Sequence, residues 1–199
     1  MLEAFGDAAW RVRLPEGAGG RAVLDRLRAL PRVVDAVVTE RHALVTFDPA
    51  APPQGVEAAI EQALSAPASA VSSREHVVRV RYDGQDLAEV ARAAGVSVAE
   101  AVALHAGGAY VVAAIGFLPG FAYLRGLDPR LEVPRRESPR PRVPPLSVAV
   151  AGPYSGIYPF ASPGGWNVVG TALGFAAFDA SAGAALALGD RVRFTPEPS

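Results

Sequence analysis

The chain has 199 residues, half of them apolar and a fifth charged, enough for one or two domains with a real core. Nineteen basic residues face twenty acidic ones. This balance excludes a generic polyanion binder, because nucleic-acid affinity comes mainly from neutralising phosphates. Cys is absent and every basic residue is Arg. Disulfides, thiol nucleophiles, Cys-based metal sites, Schiff-base lysines and Walker A loops are therefore ruled out.

In chain order, residues 9–14 read as a strand and 20–30 as a helix. Val23, Leu24, Leu27 and Leu30 share one helix face, opposite Asp25, Arg26 and Arg28. Pro31 stops the helix. Residues 33–39 and 43–47 are Val-rich and read as two strands joined by a turn at 40–42. A loop at 48–53 leads to a second helix over 56–64. Residues 76–82 alternate as a strand does. The order β-α-β-β-α-β predicts a ferredoxin-like α+β domain over 1–74, and the last strand suits either side of the boundary. Small residues at 66–73 form the linker to a second domain, 75–199.

Asp86 opens a helix over 87–94 that ends at Gly95, and Ser97 with Glu100 forms a capping box for another through His105. The pair has helix-turn-helix spacing, but its second helix offers only Glu100 and His105 beyond apolar residues. It lacks the Arg, Asn or Gln that reads base edges, so no nucleic-acid partner is expected. Residues 109–118 read as a buried strand. Beyond it, ten of the eighteen prolines fall between Pro119 and Pro163, and the apolar runs are short: 146–151, 167–171, 175–178 and 191–195. Short strands broken by Gly and Pro predict an all-β barrel or sandwich. The uncharged stretches 101–124 and 143–178 are interrupted by Gly and Pro, so neither reads as a membrane span. No signal peptide is evident in residues 1–13, and the chain reads as cytoplasmic.

Three constellations could carry chemistry. The first is the run Arg125, Arg130, Arg135, Arg136, Arg140 and Arg142, whose guanidinium forks suit a carboxylate or phosphate, or else a salt-bridged loop. The second is the charge-free ribbon 143–178, with Tyr154, Tyr158, Phe160 and Trp166 among glycines. It reads equally as barrel core or as a surface covered by partner or substrate. The third is the turn 116–124, a Pro-Gly corner flanked by aromatics. His105 ends a helix near the Gly-rich region, where it suits either dipole stabilisation or proton transfer. No His and carboxylate pair has metal-ligand spacing, so no metal is expected.

Gly116-Phe117-Leu118-Pro119-Gly120-Phe121-Ala122-Tyr123-Leu124, Pro134-Arg135, Pro139-Arg140, Val143-Pro144, Ala151-Gly152-Pro153, Gly156-Ile157-Tyr158-Pro159 and Ser162-Pro163-Gly164-Gly165-Trp166 occur in order. Together with Leu104-His105 and Tyr110, they resemble the family of 5-oxoprolinase B subunits, also described as the kinase inhibitor KipI and as allophanate hydrolase subunit 1. The resemblance covers nearly the whole chain. It departs at Leu146, where the family usually has Gly, at Tyr154, often Gln, and after Gly170, where a basic residue usually precedes Thr.

The resemblance implies a small α+β domain followed by a cyclophilin-like β-barrel. It implies two partners, a homologous barrel subunit (the C subunit, or KipA) and the A subunit, with which 5-oxo-L-proline is cleaved to L-glutamate using ATP. Some relatives instead inhibit a sporulation histidine kinase. From chemistry and position, Arg135 and Arg140 are expected to hold a carboxylate or phosphate with help from the Gly164 and Gly165 amides. Tyr158 and Trp166 would line the pocket, and His105 would carry the proton.

Overall fold

The computed structural model describes residues 2–14, 20–50, 55–66 and 73–198. Half of the expected loop at 48–53 and most of the linker at 66–73 lie outside them. The chain divides into two compact units, Met1–Ser72 and Ser73–Ser199.

In the first unit, β1 (Leu2–Ala4), β2 (Ala9–Arg13), β3 (Val33–Val38) and β4 (His42–Phe47) form one antiparallel sheet in the order β1-β2-β4-β3. Helices α1 (Arg21–Arg28) and α2 (Val56–Ser65) complete the unit. Each helix buries one stripe: Val23 and Leu27 from α1, Val56, Ile60 and Ala63 from α2. They join Val45 and Phe47 from the sheet in the unit's core. Each large apolar side chain so buried contributes about 1.5–3 kcal/mol. Three strands take the expected places, but the fourth place is filled by residues 2–4, whose pairing with β2 no alternation in so short a segment announces.

The strand predicted at 76–82 belongs to the second unit as β5 (Glu75–Arg81). There α3 (Leu87–Ala93) and α4 (Val98–Ala106) precede β6 (Tyr110–Ile115) and β7 (Ala122–Arg125). The chain continues through β8 (Arg140–Val143), β9 (Ser147–Ala151), β10 (Tyr154–Ile157), β11 (Ser162–Gly164) and β12 (Asn167–Leu173). Two short strands, β13 (Phe178–Asp179) and β14 (Gly183–Ala184), lead to β15 (Arg191–Pro196). Seven strands close a barrel in the order β10-β7-β6-β15-β5-β12-β9. All described neighbours in it are antiparallel except β5 and β15, which run parallel from Glu75↔Arg191 to Val80↔Pro196.

The helix pair packs on this barrel, α3 on β12 and α4 on β15. Ser97 Oγ accepts from the Glu100 N–H at 3.1 Å, which fixes the start of α4. Ala101 and His105, four residues apart on one face, are its buried residues. The charge-free ribbon goes mostly into barrel core: all of β9 is buried, and most of β12 with it. Its uncharged residues are accounted for by packing, apart from exposed positions such as Phe160. The Pro-Gly corner turns β6 into β7, with the Gly116 N–H donating to the Phe121 carbonyl.

Candidate functional site

Arg136 and Arg140 leave the Pro-Arg segment and converge on one carboxylate. Arg140 Nη2 donates to Asp86 Oδ1 at 2.5 Å, and Arg136 Nη1 donates to the same oxygen at 3.1 Å. Asp86 Oδ2 accepts from the Val168 N–H of β12 at 2.7 Å. The Asp86 backbone N–H donates in turn to the Val168 carbonyl. The Asp86 side chain is 4% exposed, so both guanidiniums are held by a carboxylate removed from water. Asp86 precedes α3 as expected, but its side chain makes no cap hydrogen bond there; two charged donors and a strand amide outcompete the helix end. The role expected for Arg140, gripping an outside anion, is thus occupied by the protein's own Asp86.

Arg135 differs from its neighbours. Its guanidinium lies over the Trp166 ring, 6.0 Å from the centroid, and it has no ion-pair partner among the described residues. Trp166 is buried in an aromatic cluster, edge-on to Phe121 at 5.3 Å and to Tyr123 at 5.6 Å. Tyr158 packs edge-on to Phe121 and accepts a hydrogen bond from the Trp166 backbone N–H. Burial raises its pKa, while that hydrogen bond and the charge of Arg135 pull the other way. Gly164 lies under the Tyr158 hydroxyl: a Cβ there would stand 2.3 Å from Oη. Gly165 has ordinary space around it, and its carbonyl accepts from the Arg136 N–H at 2.8 Å. Arg135, Tyr158, Gly164, Gly165 and Trp166 are thus brought together, with Arg140 behind them on Asp86.

His105 is not part of this group. It packs in the other barrel cluster at 2% exposure, stacked on Phe194 with ring centroids 4.8 Å apart. Tyr82 Oη lies 2.8 Å from Nδ1 and Ser155 Oγ 2.9 Å from Nε2, so each ring nitrogen has a hydroxyl partner. The Tyr110 hydroxyl donates to the His105 carbonyl at 2.8 Å. Burial drives the imidazole pKa down to about 3, which keeps it neutral. The expectation of a proton carrier meets a side chain sealed from solvent. The residue's place at a helix end is set by its inward register, not by the dipole.

A cleft of about 430 Å³ opens between α3 and the segment 133–138, with Asn167 of β12 also in its lining. Arg135 and Arg136 line it, and so do Glu89 and Glu137, so both signs of charge face the same space. Neither Asp86 nor Glu89 stands out in the sequence as more than helix residues. The signal that points to them is the excess of cations at Pro134-Arg135-Arg136 and Pro139-Arg140, which calls for counter-charge from another element, buried at Asp86 and exposed at Glu89. Among the described residues no group of three or more His, Asp or Glu is arranged to hold a metal ion, and no helix is long and apolar enough to cross a membrane.

These features define a β-barrel protein with a helix pair on its wall and an arginine–carboxylate hub beside an aromatic cluster. The chain belongs to the family of carboxyltransferase domain, subdomain C and D, whose model matches residues 2–186. It is 46% identical over 117 residues to the B subunit of 5-oxoprolinase from Escherichia coli O157:H7, covering 57% of this chain and 53% of that protein. The resemblance read from the Gly/Pro/aromatic motifs is borne out. The chain spans about half the length, or less, of the curated relatives it matches. The crystal structure of TTHA0988 is similar over the whole chain, with TM-score 0.84 and 38% identity, and the match covers 41% of that longer chain. Kluyveromyces lactis urea carboxylase shares the fold at TM-score 0.77 and 16% identity, over 99% of this chain and 22% of that one.

Proposed function

We propose that this chain is the B subunit of a 5-oxoprolinase, which together with the A and C subunits opens 5-oxo-L-proline to L-glutamate at the expense of ATP. The observation that carries this reading is the 46% identity to proteins of that name from three bacteria. In this reading the barrel is of the cyclophilin-like kind, the first unit is a ferredoxin-like variant whose fourth strand comes from residues 2–4, and the complex works in the cytoplasm. Arg135, stacked on Trp166 and not committed to a carboxylate, holds the substrate's carboxylate. Arg140 and Arg136, tied to Asp86, fix the segment from which Arg135 projects. Tyr158 and Trp166 form the wall behind it, and the close approach at Gly164 sets the Tyr158 hydroxyl in place. His105 acts from inside the barrel by holding Tyr82 and Ser155, not by touching substrate. The cleft does not fit a triphosphate, because Glu89 and Glu137 would repel it. No step involving ATP is therefore assigned to these residues.

The test is reconstitution with the partner subunits and measurement of ATP-dependent glutamate release from 5-oxoproline. The wild-type chain supports release, and Arg135→Ala lowers kcat/KM by about a hundredfold, the effect of losing a charge-assisted contact to a carboxylate. A complex that releases no glutamate overturns the reading, and full turnover with Arg135→Ala removes this residue from the site.

A further inference from the structure

The cleft beside α3 is lined for a ligand that carries both charges. Arg136 Nη1, which already donates to Asp86 Oδ1 at 3.1 Å, lies 4.0 Å from Glu89 Oε2, and Arg92 Nη2 lies 3.7 Å from Glu89 Oε1. Both contacts to Glu89 are longer than a charge-assisted hydrogen bond of about 2.7–2.9 Å, so Glu89 faces two guanidiniums without being saturated by either. Asn167 donates its Nδ2 to the Pro134 carbonyl at 2.9 Å and to the Val150 carbonyl at 3.4 Å. That orientation leaves its Oδ1 as an acceptor. Each alternative class of ligand meets an opposing charge. A dianion or a polyphosphate meets Glu89 and Glu137, and a simple cation meets Arg135 and Arg136. A lactam acid, with a carboxylate but no ammonium, leaves the acidic side unused, and polar groups left unpaired by a ligand count against it.

We propose that this cleft binds a free α-amino acid in its zwitterionic form, the carboxylate on Arg135 and Arg136 and the ammonium on Glu89. In such a ligand the two charges sit on one carbon, and the facing Arg136 and Glu89 groups present the complementary pair at similarly short range. The proposal rests on the oxoprolinase reading only for the choice of L-glutamate as probe. Opening the lactam breaks its C–N bond, adds water across it and frees an amine that takes up a proton. The product therefore carries the ammonium that the substrate lacks. The cleft would accordingly hold product in preference to substrate, which assigns Glu89 and Glu137 to product recognition.

The experiment is calorimetric titration of the 199-residue chain with L-glutamate, glutarate and 5-oxo-L-proline. The expected result is binding of L-glutamate at least about tenfold tighter than of the other two. Glu89→Gln, at a largely exposed position that does not endanger folding, should weaken L-glutamate by about tenfold while glutarate, relieved of a like charge, binds no more weakly than before. Equal affinity for glutamate and glutarate, insensitivity to Glu89→Gln, or no binding of glutamate at millimolar concentration would each overturn the proposal. Turnover by the reconstituted complex is a separate readout. A complex that is active while this chain binds no glutamate sinks the zwitterion site alone, and a chain that binds glutamate in an inactive complex sinks the oxoprolinase reading alone.

Discussion

Arg140 and Asp86, 54 residues apart in sequence, meet at 2.5 Å. The contact fastens the Pro-Arg segment to the root of α3 and to the edge of β12 at once, because Asp86 also accepts from Arg136 and from the Val168 amide. Removing the carboxylate would leave two guanidiniums side by side, with only the more distant and largely exposed Glu89 as counter-charge, 4.0 Å from Arg136. Asp86→Ala should cost about 3 kcal/mol, toward the low end for breaking a buried pair because Arg136 stays partly exposed. Asp86→Asn, which keeps an acceptor oxygen, should cost less. Urea unfolding midpoints of the two variants check this; a loss under about 1 kcal/mol for Asp86→Ala would mean that the hub is not a fastening.

Gly164 and Gly165 are adjacent, and space alone should separate their variants. Gly164→Ala drives a methyl against the Tyr158 hydroxyl and should destabilise by about 1–3 kcal/mol. Gly165→Ala meets only ordinary contacts and should be nearly neutral. In the background of Tyr158→Phe the Gly164→Ala penalty should shrink, a coupling that a double-mutant cycle reads directly. Additive penalties would show that the close approach is not what demands glycine there.

His105 links stability to pH. Its pKa is about 3 in the folded barrel against an ordinary 6.5, so the unfolded chain binds the extra proton between these values. The contribution is complete above about pH 6.5 and is lost progressively as pH falls toward 3, with about one proton taken up on unfolding from this residue. Denaturation at a series of pH values in that window measures the slope. His105→Gln should flatten it by that one proton, and an unchanged slope would place the titrating group elsewhere.

The helix pair, the hairpin of the first unit and the barrel class were legible because each rests on local patterning: the Ser97 cap, the Val-rich alternation, and short strands punctuated by Gly and Pro. The fate of residues 75–81 was not, since alternation in a strand says nothing about its partner, and β15 lies more than a hundred residues away. The site was half legible. Arg135, Tyr158, Gly164 and Trp166 could be grouped because their motifs lie close in sequence. Asp86 could not, because a single carboxylate before a helix is ordinarily a cap. Leu146 shows a departure whose meaning only the backbone supplies. It sits at φ 61°, in the left-handed region, where the resembled family usually has Gly. Its amide and carbonyl are fixed to Tyr158 and Ala172, so the turn keeps its shape and the side chain packs against the barrel core.

The parallel seam between β5 and β15 determines where the ends of the barrel emerge. Antiparallel neighbours would bring the first strand's entry and the last strand's exit to the same rim. Here Glu75 pairs with Arg191 at one pole and Val80 with Pro196 at the other. The 7-residue β5 therefore separates entry from exit by roughly 20 Å, the rise of an extended chain of that length. A label or fusion placed after Pro196 would stand on the opposite end of the cylinder from one placed before Glu75, and any tether circularising the barrel would have to climb its full height.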